Sequence, residues 1–273
     1  MATTEVSDDT TRPDAENWRT YDEFAAGIDT YRLPNTDLTG TRITFTLEDD
    51  TTVSMSFDSA EEVTWQASGA IEAAAGTRDP YDAVPVREDV IFLNLPLTSR
   101  RREALTIFYS RSTHRAIAIR SHIADEAEEG VPQVHQQFWA GVTDQGTPTG
   151  EVPGPSRDLI GKRNLYRYSP YHLYEHVYIS SERYAWQNLQ GVQRGHGDMD
   201  MSTVWKFTDG IYLFCFREFR IAVASVWMHD LSYNLTTTGI FLGLNGQGES
   251  EHSRAGGRVY PLGSVSYPDV QPV

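Results

Sequence analysis

The stretch that decides the fold is GKRNLYRYSPYHLYEHVYISSERYAW, from Gly161 to Trp186. It repeats in outline an earlier stretch, GTRITFTLEDDTTVSMSFDSAEEVTW, from Gly40 to Trp65. Each has a glycine, a basic residue close behind it, an alternating run, a polar turn, a second alternating run and a tryptophan. An internal repeat of this kind determines the fold class, because each copy forms one structural unit. The spacing is far too long for a solenoid, so each copy is predicted to be a complete small β domain.

Each copy is followed by two further apolar segments. They are EDVIFLNLPL and ALTIFYSRSTHRAIAIRS in the first half, and DGIYLFCFREF and IAVASVWMHDLSYNLTTTGIFLG in the second. Several short alternating strands rich in aromatic residues indicate a meandering antiparallel barrel, because closure removes exposed sheet edges. A barrel of about eight strands also has room for one small ligand. The sequence therefore predicts an all-β protein of two tandem calycin- or lipocalin-like antiparallel β-barrels with short helical segments.

Breaks in the alternating pattern set the predicted domains. Residues 1–17 are acidic and poor in apolar side chains, which is typical of a mobile tail. The strongest Pro/Gly linker, DQGTPTGEVPGPS, runs from Asp144 to Ser156. We therefore expect a tail at 1–17, an N-terminal barrel domain at 18–150 and a C-terminal barrel domain, holding the ligand site, at 151–273.

Composition limits the classes of partner. The 273 residues carry a formal net charge of −15, which repels nucleic acid and anionic membranes. No run of about 18 apolar residues occurs, and the acidic start MATTEVSDDTTRPDAENW does not resemble a signal peptide. The one cysteine, Cys215, lies in the apolar run IYLFCF and is expected to be inert core. We expect a cytoplasmic protein without nucleic-acid or membrane partners, and a homodimer stays open.

The two-copy layout carries a resemblance to a known family. The block GTRITFTLEDDTTVSMSF with its Trp65, followed later by GKRNLYRY and YEHVYI, resembles the family named molybdenum cofactor biosynthesis protein F. The likeness spans both halves, from about Tyr31 to Gly243. The family name indicates a pathway but supplies no mechanism, and nothing in the chain resembles a molybdopterin-handling site.

The second half has a further likeness. LIGKRNLYRYSPYHLYEHVYI followed by TDGIYLFCFRE is similar to bacterial phenolic acid decarboxylases, single lipocalin-like barrels that remove the carboxylate of hydroxycinnamic acids. The resemblance implies that Tyr166 and Tyr168 clamp a carboxylate and that Glu218 delivers a proton to the side-chain carbon. Gln187 stands where that family has an arginine, which argues against hydroxycinnamate decarboxylation itself. On a strand without a bulge, Arg220 points to the same inward face as Glu218, because the two are two residues apart. Arg220 is therefore predicted to supply the cation instead.

The chemistry of these residue types supports an acid–base site. Phenols at i and i+2 of a strand point to one face, and a carboxyl in an apolar barrel has a raised pKa and can serve as a general acid. His176 shares parity with the neighbouring tyrosines and is a candidate base. The predicted catalytic residues are Glu218, Tyr166, Tyr168 and His176, and the predicted substrate-binding residues are Tyr174, Tyr178, Trp186, Gln187 and Arg220. The first copy has Leu97 at the place of Glu218, with Thr44 and Thr46 at the tyrosine pair, so it is expected to be a scaffold, a lid or a second binding barrel.

Each candidate has a simpler explanation. The tyrosines are also ordinary strand aromatics, and Glu218 could be a surface residue paired with Arg220. His196, Asp198 and Asp200 fit a solvated turn better than a metal site, and no nucleotide or nucleophile-elbow motif occurs, so neither metal nor cofactor is predicted. The leading function is a cofactor-independent lyase or isomerase acting on a small aromatic or conjugated acid. The alternatives are a non-catalytic calycin-type binding protein and an assembly element with filled barrels.

Overall fold

A computed structural model describes residues 18–272, so the predicted tail at 1–17 lies outside the described residues. One short helix, α1, spans Tyr21–Ala25, and nearly all other regular structure is β. No helix of the described residues has the length and apolar character needed to cross a lipid bilayer. The strands of the first half are β1 Arg42–Leu47, β2 Thr52–Phe57, β3 Glu62–Ser68, β4 Ala73–Pro80, β5 Asp82–Pro85, β6 Val90–Pro96, β7 Glu103–Ser110, β8 Arg115–Ile123 and β9 Val134–Thr143. The strands of the second half are β10 Gly154–Pro155, β11 Lys162–Ser169, β12 His172–Tyr178, β13 Arg183–Gln190, β14 Gly197–Thr208, β15 Ile211–Arg217, β16 Val223–Asp230, β17 Thr236–Leu244 and β18 Ser250–Ser264.

Each half forms one nine-stranded antiparallel sheet that curls on itself. The order is β4-β3-β2-β1-β9-β8-β7-β6-β5 in the first sheet and β10-β14-β13-β12-β11-β18-β17-β16-β15 in the second. A further pairing of β14 with β15 closes the second sheet into an eight-stranded barrel of β11–β18. In the first sheet β4 and β5 are the two ends of the order and do not pair, which leaves an open seam. The predicted tandem barrels are therefore confirmed, one closed and the other nearly closed.

The two barrels repeat the same register. Phe45 pairs with Val53 in the first barrel as Tyr166 pairs with Tyr174 in the second, and Trp65 and Trp186 occupy matching places on β3 and β13. The register corrects one expectation, because Phe45 and Leu47 stand where Tyr166 and Tyr168 stand. Thr44 and Thr46 are one residue out of phase, and a one-residue shift in a strand moves a side chain to the other face.

The interiors of the two barrels differ in chemistry. The interior of the first barrel is filled by apolar side chains, among them Ile43, Phe45, Leu47, Val53, Met55, Phe57, Val63, Trp65, Leu93, Leu95, Leu97, Leu105 and Ile107. At the matching positions the second barrel has Tyr166, Tyr168, Tyr174, His176, Tyr178, Tyr184 and Glu218. Burying polar groups costs free energy unless they find hydrogen-bond partners. The fold therefore does not require the polar interior of the second barrel.

The barrels share a third apolar cluster between their outer faces. The first barrel contributes Val84, Val86, Val90, Phe92, Phe108, Ile117, Ile119 and Ala140, and the second contributes Trp205, Phe207, Ile211, Leu213, Cys215, Val226, Met228 and Ile240. Arg87 adds a bidentate ion pair to Asp230, with distances of 3.0 and 2.9 Å. Cys215 is fully buried in this interface, and burial raises the pKa of its thiol, so the residue is an unreactive part of the core.

The segment that precedes β1 packs on the second barrel, although the strands of the first barrel follow it in the sequence. Residues 18–28, called the cap below, include α1, whose preceding Thr20 N–H donates to the Glu23 carboxylate at 2.9 Å. Tyr21, Phe24 and Ile28 are buried in the core of the second barrel. Their spacing of three and four residues places them on one face, which is typical of an amphipathic segment. The cap thus covers one end of the barrel formed by the distant half of the chain.

Candidate functional site

The second barrel contains a small, partly open cavity at the end covered by the cap. Its volume is about 30 Å³, room for roughly two water molecules. Seven of the lining side chains are aromatic rings of Phe, Tyr or Trp, and no lysine or arginine is among them. The lining residues are Phe24, Ile28, Tyr168, Tyr174, His176, Tyr184, Trp186, Gln193, Phe216, Glu218 and Phe241. Sites for small ligands commonly combine apolar walls with a few polar groups of this kind.

Glu218 supplies the only carboxyl group among the residues that line the cavity. It follows β15 directly, and its backbone N–H donates to the carbonyl oxygen of Val223 at 2.9 Å. No hydrogen bond joins its carboxyl to any described residue. Burial raises the pKa of Glu218 well above its ordinary value, and the nearby carboxylates of Asp200 and Asp198 raise it further. The residue therefore keeps its proton to a higher pH than an exposed glutamate does.

Two aspartates form the outer surroundings of Glu218. Asp200 accepts the indole N–H of Trp186 at 2.8 Å and the backbone N–H of Phe219 at 3.1 Å, and burial raises its pKa to about 6. Asp198 is paired with Arg220 at 2.7 Å. Arg220 also lies over the ring of Trp18, 4.9 Å from its centre. Arg220 therefore belongs to the rim and does not line the cavity, because β15 ends at Arg217 and the alternation that placed it inward stops there.

Two tyrosine hydroxyls in the cavity have no hydrogen-bond partner within residues 18–272. Tyr168 and Tyr184 both line it, and neither hydroxyl bonds to a described residue. Burial raises the pKa of both phenols, so they are hydrogen-bond donors at neutral pH. Tyr174, by contrast, donates to the side-chain oxygen of Gln193 at 2.8 Å. Tyr184 is absent from the predicted site residues, although its alternation with Trp186 is sufficient to place it inside the barrel.

Tyr166 and Tyr178 lie outside the cavity lining. Their hydroxyl oxygens are 2.6 Å apart, and Asn164 donates to Tyr166 at 3.3 Å. The Tyr178 hydroxyl is 3.2 Å from Nε2 of His229, whose Nδ1 is 2.8 Å from the hydroxyl of Thr237. Burial lowers the pKa of His229 well below its ordinary value, so the imidazole is neutral. These five residues form a buried hydrogen-bonded chain, called the inner chain below.

His176 lies between the inner chain and the cavity. Its ring centre is 4.4 Å from that of Tyr166 and 5.1 Å from that of Tyr184. Burial lowers the pKa of His176 to about 3, and its Nδ1 has no partner among the described residues. The imidazole is therefore neutral and a weak base, better suited to hydrogen bonding with a ligand than to proton abstraction.

Gln187 lies on the outer face of the barrel. It follows Trp186 directly, and successive strand residues point to opposite faces. Its amide donates to Glu175, which is also paired with Arg163. Gln187 therefore does not contact a ligand in the cavity. The cavity residues that sequence reasoning missed, besides Tyr184, fall into two groups: Phe216 and Phe241 on strands, and Phe24, Ile28 and Gln193 from segments outside the strands.

The site has no cluster with the composition of a metal centre. Within residues 18–272, no group of three or more His, Cys, Asp or Glu side chains is placed to hold a metal ion. The chemistry available in the cavity is that of one carboxyl with a raised pKa, two phenols and a neutral imidazole, surrounded by aromatic rings.

Comparison with known proteins relates both halves to one family. The profile of the MoaF N-terminal domain matches residues 16–125, and that of the MoaF C-terminal domain matches residues 153–265. Protein MoaF of Klebsiella aerogenes is 30% identical over 182 residues, which cover 63% of this chain and 68% of that protein. The crystal structure of a candidate β-lactamase from Burkholderia vietnamiensis is 14% identical and covers 40% of this chain and 100% of that chain, but its TM-score of 0.34 is too low to carry an argument. The chain belongs to the MoaF family.

Proposed function

We propose that this MoaF-family protein is a cofactor-independent lyase or isomerase that uses acid–base chemistry on a small aromatic or conjugated carboxylate in its second barrel. The observation that carries the proposal is Glu218, a buried carboxyl without a hydrogen-bond partner among the described residues, in an aromatic cavity. An unpaired buried polar group costs about 1–3 kcal/mol. The first barrel has Leu97 at the matching position, so the fold gains nothing from a carboxyl there.

Each polar group of the cavity has a separate role in the proposed reaction. Glu218 donates its proton to one carbon of a conjugated double bond, whose electron pair forms the new C–H bond. In a lyase the carbon–carbon bond to the carboxylate then breaks, carbon dioxide leaves, and the electrons restore the double bond. In an isomerase a proton leaves a different carbon instead. Tyr168 and Tyr184 donate hydrogen bonds to substrate oxygens, and solvent returns the proton to Glu218.

A non-catalytic small-molecule carrier is the second candidate. The observation that favours it is the absence of lysine and arginine from the cavity lining, together with a neutral His176 whose pKa of about 3 makes it a poor base. Aromatic walls and two free phenols recognise a planar ligand without any chemistry. In that case Glu218 would donate a hydrogen bond and nothing else.

Replacing Glu218 by glutamine separates the two candidates. Purified protein is assayed against hydroxycinnamates and related conjugated aromatic acids, with substrate consumption and solvent deuterium in the product as readouts. We expect Glu218→Gln to lower the rate by about a hundredfold or more while binding changes little. The wild-type rate should fall as pH rises through the raised pKa of Glu218, because the protonated form is required. Glu175→Gln, which alters a buried carboxyl on the outer face, is the matched control; a Glu218→Gln protein as fast as wild type would leave only the carrier.

A stability measurement checks that the glutamine variant is folded. The pKa of Glu218 is raised in the folded state, so the unfolded chain loses this proton at lower pH. Wild-type stability therefore falls as pH rises from the ordinary glutamate pKa through the raised value. Glutamine does not titrate, and we expect the variant to become progressively more stable relative to wild type in urea unfolding as pH rises above the ordinary glutamate pKa of 4.5.

A further inference from the structure

The cavity is smaller than any aromatic ligand. Its volume of about 30 Å³ has room for roughly two water molecules, so binding requires that part of the wall moves. Most of that wall consists of strands whose backbones are hydrogen bonded around the closed barrel. Phe24 and Ile28 of the cap and the loop residue Gln193 are the lining residues that lie on neither a strand nor its immediate end. The cap and the loop that carries Gln193 are therefore the parts of the wall that can move without breaking the sheet, and the cap supplies two of these three side chains.

The cap is held on the second barrel by the buried side chains of Tyr21, Phe24 and Ile28 and by hydrogen bonds and aromatic contacts at its start. Tyr21 donates to the carbonyl oxygen of Phe241 at 3.3 Å, and Asp22 accepts the backbone N–H of Gly246 at 3.2 Å. Trp18 packs edge-on against Trp186 with ring centres 5.8 Å apart. The helix of the cap has five residues, and a helix shorter than about 12 residues is not stable by itself. The position of the cap thus depends on these contacts with the second barrel.

We propose that the cap is the gate of the cavity and that Phe24 occupies the place of the ligand's ring. The ligand is then a compound with one aromatic ring, which replaces the Phe24 side chain when the cap lifts. The Phe24 ring meets Phe241 edge-on, with centres 5.5 Å apart and planes at 74°, a favoured geometry for an aromatic pair. This inference rests on the proposed function only in placing the ligand in the same cavity.

A reversible disulfide across the cap tests the gate. A Cβ atom on Gly246 would lie 3.7 Å from the Cβ of Thr20, within the range of about 3.5–4.5 Å found in disulfides. The native Cys215 is fully buried and does not compete. We expect oxidised Thr20→Cys/Gly246→Cys protein to bind 4-hydroxybenzoate and 4-hydroxycinnamate at least about tenfold more weakly than its reduced form in calorimetry. Dithiothreitol should restore binding, and each single cysteine variant should respond to neither treatment.

A second variant tests the place assigned to Phe24. Phe24→Ala removes the competing ring, so affinity for both probes should rise severalfold, whereas Tyr233→Ala, at an exposed turn, should change nothing. Weaker binding by Phe24→Ala would show instead that Phe24 packs against the ligand. Equal binding by locked and reduced protein overturns the gate, and no binding of either probe by reduced protein rejects a one-ring ligand. In protein that also carries Glu218→Gln, we expect the same ratio between the affinities of the reduced and the oxidised forms. A failure of the catalytic proposal is therefore distinguishable from a failure of the gate.

Discussion

Alternation along a strand tells which face a residue takes but not how deep it lies. Tyr166 and Tyr168 share the inward face of β11, as their spacing predicts. Tyr168 reaches the cavity, whereas Tyr166 is held in the inner chain by Tyr178 and Asn164. Depth depends on where along the barrel the ligand space lies, and only the packed structure determines that. The two phenols therefore have different roles despite identical patterning.

Single replacements should separate the two tyrosines. Tyr168→Phe removes a hydroxyl with no partner among the described residues, so stability should be unchanged while affinity for 4-hydroxycinnamate falls by about 1–3 kcal/mol. Tyr166→Phe leaves the Asn164 amide without its acceptor and removes one of the two hydrogen bonds of Tyr178, so it should lower the free energy of unfolding by about 1–3 kcal/mol with little effect on binding. Urea unfolding and calorimetry on both variants check this. The reverse pattern would move the ligand into the inner chain.

The remaining site residues show where sequence patterning is sufficient. Glu218 and Trp186 lie inside as alternation indicates. The same rule, applied consistently, excludes Gln187 and includes Tyr184. The inward assignment of Arg220 depends on extending β15 past its true end at Arg217, and strand ends are the least certain part of any pattern.

At the level of strands, a tryptophan indole hydrogen bonded to an aspartate recurs in both barrels. Trp65 donates to Asp79 at 2.9 Å, and Asp79 also accepts the backbone N–H of Thr98 at 2.7 Å and its hydroxyl at 2.6 Å. Asp200 makes the matching bonds to Trp186 and to the backbone of the turn after β15. The repeated tryptophans are visible in the sequence. Their aspartate partners are not, because the hairpin register that brings them together is a property of the folded sheet.

Removing each aspartate should have unequal effects. Asp79→Ala leaves three donors without an acceptor beside the open seam, and we expect a loss of about 2–4 kcal/mol in the free energy of unfolding. Asp200→Ala leaves two donors but also removes a carboxylate close to Glu218, so its loss should be smaller and the pKa of Glu218 should fall. Urea unfolding at neutral pH and the pH dependence of the rate measure the two effects. Equal losses would contradict the larger contribution to stability expected from the three hydrogen bonds of Asp79.

For the whole molecule, the repeat predicts two barrels with one strand order, and this is what forms. The repeat could not predict how the barrels meet, because the shared cluster joins outer faces whose pairing is decided only in three dimensions. Nor could it show that the cap closes the more distant barrel. An amphipathic pattern over Tyr21, Phe24 and Ile28 indicates that this face is buried but does not identify what buries it.

The shared cluster should make the two barrels unfold together. In the Asp79→Ala protein, whose change lies in the first barrel, we expect backbone amides of β15–β17 to exchange faster in parallel with those of β6–β8. The physical reason is that opening one barrel exposes the apolar side chains that cover the other. Hydrogen exchange read by mass spectrometry of peptides is the measurement. Faster exchange confined to the first barrel would mean that each barrel is stable alone.

The open seam bears on how copies of this protein behave at high concentration. Backbone groups along the free edge of β4 can pair with a strand of another molecule, the usual first step towards fibres. The edge carries Gly76, Arg78 and Pro80, which discourage such pairing. A net charge of −15 adds mutual repulsion, which weakens in concentrated salt and vanishes near the isoelectric point of about 4.9. Colloidal stability of the protein therefore rests on charge at least as much as on the shape of its edge.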